Sequence, residues 1–263
     1  MPYATAGGHR LHYEWIGPGP EEAPTLVVMH QALGCVETWG DFPARLAAAT
    51  GCGALVYSRW GSGKSDPIGL DPRPPTYMED EAWVALPDLL AATGVRQVIP
   101  VGHSDGGTIA LFYAADPKPV APLAVVSVAA HVFYDEHSRG GLAQTRVDWD
   151  ESDLRARLAR HHGDNTDGMY LSWTGLWLKP ESLTWNVEHT LPAIVCPALV
   201  MQGSEDAHGV VGQVDAIVRG VSGPAERVIM DGVGHEPHRE TPEETLRIMA
   251  GFIERARARK AAE

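Results

Sequence analysis

The sequence predicts an α/β protein, a mostly parallel sheet of about eight strands flanked by helices, with a helical cap inserted late in the chain. Three observations carry this expectation. Short, wholly apolar runs alternate with helix-period stretches, which is the rhythm of parallel strands joined by right-handed crossovers. One of those runs, Val98-Ile99-Pro100-Val101, leads into Gly102-His103-Ser104-Asp105-Gly106, and an apolar helical pattern follows at once. From about 131 to 192 no buried-strand run occurs, although such runs lie on both sides.

The elements follow in order. Residues 9–16 alternate, with Leu11, Tyr13 and Trp15 on one face and His12 and Glu14 on the other, as in a half-buried strand of an opening antiparallel pair. A Gly/Pro/Glu turn leads to Thr25-Leu26-Val27-Val28-Met29, apolar enough to be buried on both faces of a parallel sheet. A helix is expected over about 38–49, a buried strand over 54–57, and a helix over about 77–92 that Pro87 kinks or divides. After the strand at 98 and its helix comes Leu123-Ala124-Val125-Val126-Ser127-Val128. The sheet resumes at Pro197-Ala198-Leu199-Val200-Met201, with another strand at about 226–230. A terminal helix from about 242 carries Arg255, Arg257, Arg259 and Lys260, cations suited to a helix C-terminus and read as a solvated face. The core domain is therefore 1–130 with 193–263, and the cap is 131–192.

Composition narrows the function classes. The 263 residues are 44% hydrophobic and 21% charged, as in an ordinary globular protein with a buried core. A formal net charge of −13 argues against nucleic acid as a partner and against anionic membranes. No apolar run reaches the ~20 residues that span a bilayer. The start Met1-Pro2-Tyr3-Ala4-Thr5 has no basic segment and no apolar segment of a signal peptide. Cys35, Cys52 and Cys196 are odd in number and read as reduced thiols, so a cytoplasmic location is expected. Nothing in the sequence specifies an oligomeric state.

The chemistry starts at Ser104. A strand–elbow–helix turn holds a serine on strained backbone with its hydroxyl exposed, while the helix aims its N-terminal amides at a developing oxyanion. A serine hydroxyl needs a base, and the base needs an orienting carboxylate. Both should stand in loops after later strands, in the order Ser, acid, His. Gln202-Gly203-Ser204-Glu205-Asp206 and Asp231-Gly232-Val233-Gly234-His235 occupy those places.

With these three motifs the chain resembles the α/β-hydrolase superfamily over nearly its full length. Gly102-His103-Ser104-Asp105-Gly106 is similar to its nucleophile elbow, Gly203-Ser204-Glu205-Asp206 to its acid loop, and Gly232-Val233-Gly234-His235 to its histidine loop. The resemblance implies Ser104 as nucleophile, Asp206 as acid and His235 as base. It also implies backbone N–H groups of Asp105 and Ala32 as the oxyanion hole. Two stretches depart from the family pattern. His30-Gln31-Ala32-Leu33-Gly34 has Gln31 where the family has glycine, so Gln31 and His30 become candidate pocket residues. In Ser58-Arg59-Trp60-Gly61-Ser62-Gly63-Lys64-Ser65, Ser58 and Trp60 replace an acid and a base. Gly63-Lys64-Ser65 is not a phosphate loop, because Ser58 stands where that loop needs glycine.

The rivals are weaker. Glu205 reads as solvated, while Asp135 and Glu136 stand where some superfamily members carry the acid. His208 reads as a pocket residue, and His238 as a pocket or helix-start residue. His131, His137 and His161-His162 lack metal-ligand spacing and read as solvated or pocket residues, so no metal is expected. Trp149, Trp173, Trp177 and Trp185 of the cap either pack it onto the sheet or line an apolar substrate pocket. The function expected is hydrolysis of a small-molecule carboxylic ester or lactone through an acyl-enzyme, without a cofactor. Carbon–carbon bond hydrolysis, lyase chemistry and perhydrolysis use the same triad. A non-catalytic ligand-binding protein on this fold is the reading from a different class.

Overall fold

In the computed structural model, which describes residues 2–262, apolar strands form one eight-stranded sheet in the order β1-β2-β4-β3-β5-β6-β7-β8. These are β1 (Tyr3–Ala6), β2 (His9–Ile16), β3 (Thr25–Met29), β4 (Gly53–Tyr57), β5 (Val98–His103), β6 (Val125–Val128), β7 (Ala198–Gly203) and β8 (Ala225–Met230). β1 pairs with β2, and β2 with β4, antiparallel; every other pairing is parallel. β3, β4, β5, β6 and β7 are buried along their whole length. Helices cover both faces of such strands, which is why they read as unbroken apolar runs.

One face is covered by α1 (Phe42–Thr50) and, from the far end of the chain, a long C-terminal helix. Leu46, Phe252 and Ile253 pack there against Val28, Val56 and Leu199. The other face is covered by α2 (Tyr77–Asp80), α3 (Leu86–Thr93) and α4 (Asp105–Ala115). Between β6 and β7 the chain leaves the sheet for α5 (Glu136–Glu151), α6 (Leu154–His162) and α7 (Thr166–Trp177), followed by short 3-10 turns. α8 (Val211–Gly220) links β7 to β8, and α9 (Pro237–Glu240) precedes α10 (Pro242–Ala262). No helix among the described residues is long and apolar enough to cross a membrane.

Several local expectations are refined. The helix expected at 38–49 is a 3-10 turn at Val36–Trp39 followed by α1, divided at Gly40, whose φ is 59°. Pro87 does not break the chain's helical course. A π-turn at Glu81–Ala85 widens the backbone just before it, and the Leu86 N–H reaches Glu81 O, so a proline without an N–H fits in the following turn. His12 is fully buried, because β2 lies inside the sheet between β1 and β4. Arg257 is not a solvated cation. It donates to Thr50 O at the C-terminal end of α1, where carbonyls lack helical partners.

Candidate active site

Ser104 lies between β5 and α4 with φ 54° and ψ −118°, a backbone conformation that L-residues adopt at a cost of order 1–3 kcal/mol. The strain persists because the surroundings leave no alternative. A Cβ on Gly102 would stand 1.9 Å from Gly106 O, and one on Gly106 would stand 2.1 Å from Met29 O. Only hydrogen at both positions lets the helix start directly against the strand ends. Ser104 N–H donates to Val128 O at 2.8 Å, which ties the turn to the neighbouring strand β6. The side chain is almost buried at 8% exposure and lines a cavity of about 1030 Å³.

Asp206 and His235 stand in the loops after β7 and β8. His235 Nδ1 lies 2.8 Å from Asp206 Oδ1 and 2.9 Å from Oδ2. The carboxylate also accepts from the His208 N–H at 2.7 Å. Burial pushes its pKa up, but the hydrogen bonds and charge of His235 and the His208 amide outweigh burial and leave it lowered. His235 faces the same cavity as Ser104. Its backbone carbonyl accepts from His103 Nε2 at 2.7 Å, so the residue before the serine also holds the histidine loop.

Asp135 is elsewhere engaged. It caps α5, accepting from Ser138 N at 2.8 Å and Ser138 Oγ at 2.6 Å, and it takes Gln213 Nε2 at 3.0 Å. Glu136 and Glu205 are exposed. His238 is buried against Trp39, ring centroids 4.6 Å apart, and burial pushes its pKa down to about 3. His208 lines the cavity with its ring 4.8 Å from that of His235, and burial pushes it to about 4. His103, Glu236 and His238 bring potential ligand atoms within 4.8 Å of one another. Glu236, however, is held by Arg239 at 3.1 Å, and His103 Nε2 by the His235 carbonyl.

Ala32 and Asp105 line the same cavity, and among the described residues no hydrogen-bond acceptor meets either backbone N–H. Gln31 also lines the cavity, its amide reaching Glu236 Oε1 at 3.4 Å. His30 does not line it. That ring is fully buried, with Nε2 accepting from Arg59 N at 3.0 Å and Nδ1 donating to Gln31 O at 2.6 Å. Trp173, Trp177 and Trp185 line the cavity, together with Phe133 and Tyr134. Trp149 is absent from the lining. It stacks flat on Tyr170 at 3.8 Å within the inserted helices, where its apolar face is already covered.

Further residues were not singled out by their spacing. His137 Nε2 donates to Asp206 O at 2.8 Å and His131 Nε2 to His208 O at 2.6 Å, so two histidines hold the acid loop by its carbonyls. His162 is buried, linking Gly63 N at 2.9 Å to Leu33 O at 3.1 Å. These rings span gaps between loops that are distant in sequence, and a single chain carries no periodic signal for such contacts. Ser58 Oγ accepts from Val36 N at 3.0 Å, and Trp60 stacks on His9 at 3.9 Å. Lys64 pairs with Glu37, which accounts for the lysine of the rejected phosphate-loop motif.

A mostly parallel sheet with a strained serine at a strand–helix elbow, and an Asp–His pair in the loops after β7 and β8, defines a hydrolase-type α/β fold. The chain belongs to the alpha/beta hydrolase family, whose sequence model matches residues 26–248. It is 26% identical over 254 residues to mouse "Serine hydrolase BPHL" (Mus musculus), covering 94% of this chain and 84% of that protein. Among solved structures it is similar to the enol-lactonase from Burkholderia xenovorans LB400, with a TM-score of 0.72 at 19% identity over 96% of this chain and 99% of that one. A carboxylesterase structure from the thaumarchaeon Nitrososphaera gargenis has a TM-score of 0.77 at 20% identity, covering 98% and 99% of the two chains.

Proposed function

We propose that this protein hydrolyses a small carboxylic ester or lactone through an acyl-enzyme on Ser104. One observation carries the reading. His235, with both Asp206 carboxylate oxygens within 2.9 Å of its Nδ1, opens on the same cavity as a serine held at φ 54°. With Nδ1–H bound to Asp206, the lone pair of His235 is on Nε2, the tautomer a general base needs. Nε2 takes the hydroxyl proton as Ser104 Oγ attacks the carbonyl, and the N–H groups of Ala32 and Asp105 receive the oxyanion. The protonated imidazole then gives its proton to the departing alkoxide. Water, deprotonated by the same ring, releases the acid. In a free enzyme the serine–histidine contact is often loose and tightens with substrate, so Ser104 need not touch the ring beforehand.

Residues 131–192 act in this reading as a cap, with Trp173, Trp177 and Trp185 forming an apolar wall for the acyl or leaving group. The enol-lactonase and carboxylesterase neighbours lend the ester and lactone class its support. Labelling with a fluorophosphonate probe, followed by peptide mapping, tests the nucleophile. Ser104 should carry the label, and hydrolysis of p-nitrophenyl butyrate should cease in step with labelling. A label on another residue, or turnover that survives full labelling, overturns the reading.

A further inference from the structure

Arg59 follows β4 and carries a guanidinium that is only 4% exposed. Burial opposes its charge, yet the Asp105 carboxylate, with lesser help from Tyr77, Glu81 and Tyr57, keeps its pKa raised. NH2 donates to Gln31 O at 3.0 Å and to His30 O at 3.4 Å. NH1 and NH2 reach Asp105 Oδ2 at 3.4 and 3.5 Å. The same carboxylate oxygen accepts from Tyr77 OH at 2.6 Å, and Tyr77 OH accepts from Trp177 Nε1 at 3.2 Å. One side chain therefore joins the loop after β3 to the first residue of α4.

The atoms it holds matter. Gln31 C=O and Ala32 N–H are the two ends of one planar peptide and point in opposite directions. Arg59 NH2 and His30 Nδ1 both donate to that carbonyl, at 3.0 and 2.6 Å, so they fix where the Ala32 N–H points. A charged donor on the carbonyl also polarises the peptide and makes its N–H a stronger donor. On the other side, Asp105 is anchored by its carboxylate while its own N–H stays unpartnered among the described residues. The ion pair is long, and Arg59 Nε has no hydrogen-bond partner among the described residues. A buried pair of that geometry is a poor source of stability.

We propose that Arg59 is a positioning residue, its guanidinium fixing the Gln31–Ala32 peptide and Asp105 so that both N–H groups converge on one oxyanion. This rests on the proposed function, in which those two N–H groups are the donors. It acts in the transition state, where the oxyanion forms, and leaves ground-state binding almost untouched.

The test compares Arg59→Met and Arg59→Lys with the unaltered protein and with Ser104→Ala, using p-nitrophenyl butyrate. Phenylboronic acid serves as the tetrahedral oxyanion mimic and butyrate as the ground-state product. In Arg59→Met, kcat should fall by roughly 10–100-fold, the cost of a displaced catalytic group, with KM changed by less than about threefold. Boronic acid affinity should fall by the same factor as kcat/KM, and butyrate affinity should hold. Arg59→Lys keeps the charge without the fork and should lie between. Unchanged kcat and boronate affinity in folded Arg59→Met overturn the proposal. Equal loss of boronate and butyrate affinity also overturns it, since that marks general disorder of the site. If Arg59→Met does not fold, Tyr77→Phe decides, removing only the hydroxyl on Asp105. There kcat and boronate affinity should drop together by roughly 3–10-fold, and no change in either overturns the proposal. Activity surviving in Ser104→Ala would instead break the underlying function and leave the hydrogen-bond geometry around Arg59 as it stands.

Discussion

The loops at the strand ends and the inserted helices meet at the same cavity, yet they leave their residues different amounts of room. At the strand ends, backbone sterics and buried hydrogen bonds fix each residue. Gly102 and Gly106 leave less room than a methyl group needs, Ser104 N is bound to Val128 O, and Asp206 is held through its side chain and its carbonyl. In the inserted helices, buried hydrogen bonds such as those of His162 tie their base to the core, while the wall facing the cavity is built mainly by the packing of rings. Trp177 sits 6.2 Å from Tyr134 and 5.1 Å from Trp185, while α5 buries Leu142 alone. The loops of Ser104, Asp206 and His235 are thus anchored where one atom too many is prohibited, and the aromatic wall of the cavity is made where rings can repack.

The largest expected effects fall on the rigid side. Ser104→Ala should lower kcat by ~10³-fold or more while the melting temperature stays near that of the parent, measured by ester hydrolysis and thermal unfolding. Asp206→Asn should cost ~10⁴-fold, because the amide no longer selects the working tautomer of His235. Asp135→Ala should leave kcat almost intact and remove about 1 kcal/mol of stability with the α5 cap. If Asp135→Ala is the inactive variant, the acid belongs to the loop after β6 and the contrast drawn above fails.

The next effects separate the aromatic residues. Trp185→Ala should change the kcat/KM ratio of a bulky over a short ester by roughly 10–100-fold, the range over which apolar pockets discriminate. Trp149→Ala should destabilise the protein, since it strips the ring stacked on Tyr170, and leave that ratio unchanged. Equal ratios for the two variants would mean that cavity lining does not set selectivity.

A smaller and graded effect concerns pH. His208 and His162 are pushed to about 4 and His238 to about 3, in each case chiefly by burial. In the unfolded chain such rings protonate near ~6.5. Below that pH the unfolded state binds protons that the folded state refuses, so stability is full above ~6.5 and is lost as pH falls toward the folded values. Denaturant unfolding between pH 7 and 5 should show this decline, and His238→Phe should reduce the proton uptake by about one. A flat profile would show that these histidines are not held neutral.

The same contrast decides what could be read from the sequence. The sheet was legible because fully buried parallel strands are unbroken apolar runs, and the elbow because its glycines answer a steric demand at fixed spacing. The loops of Asp206 and His235 were singled out by resemblance together with their place after strands, and the two side chains do meet, at 2.8 Å. Family membership and the α/β fold class are borne out by the match over residues 26–248 and by the eight-stranded sheet. Illegible were contacts that depend on how distant loops meet. Nothing in the run from 131 to 192 separates Trp149, stacked on Tyr170, from Trp173, which faces the cavity. His30 read as a pocket residue because the His30-Gln31 stretch departs from the family pattern, but its ring turns under the loop to bind Gln31 O and Arg59 N. The π-turn that accommodates Pro87 is likewise a matter of one extra residue per turn, invisible to a pattern of apolar positions.

The point where the inserted helices join the sheet has a consequence for engineering. β6 and β7 are adjacent and in register, Val128 beside Met201, so the excursion between them begins and ends on neighbouring strands. Such an excursion is transplantable in principle: another loop could close the same short gap without shifting a strand. Side-chain couplings between the excursion and the core set the terms of the exchange. A replacement must supply the donors that His131 and His137 give to the loop of Asp206, the indole N–H that Trp177 gives to Tyr77, and the bonds that His162 and Asn165 make to Gly63, Leu33 and Ser65. A chimera keeping those residues should inherit the strand-end loops under a foreign roof, whereas one lacking His131 and His137 would carry a loosened Asp206 under an otherwise sound sheet.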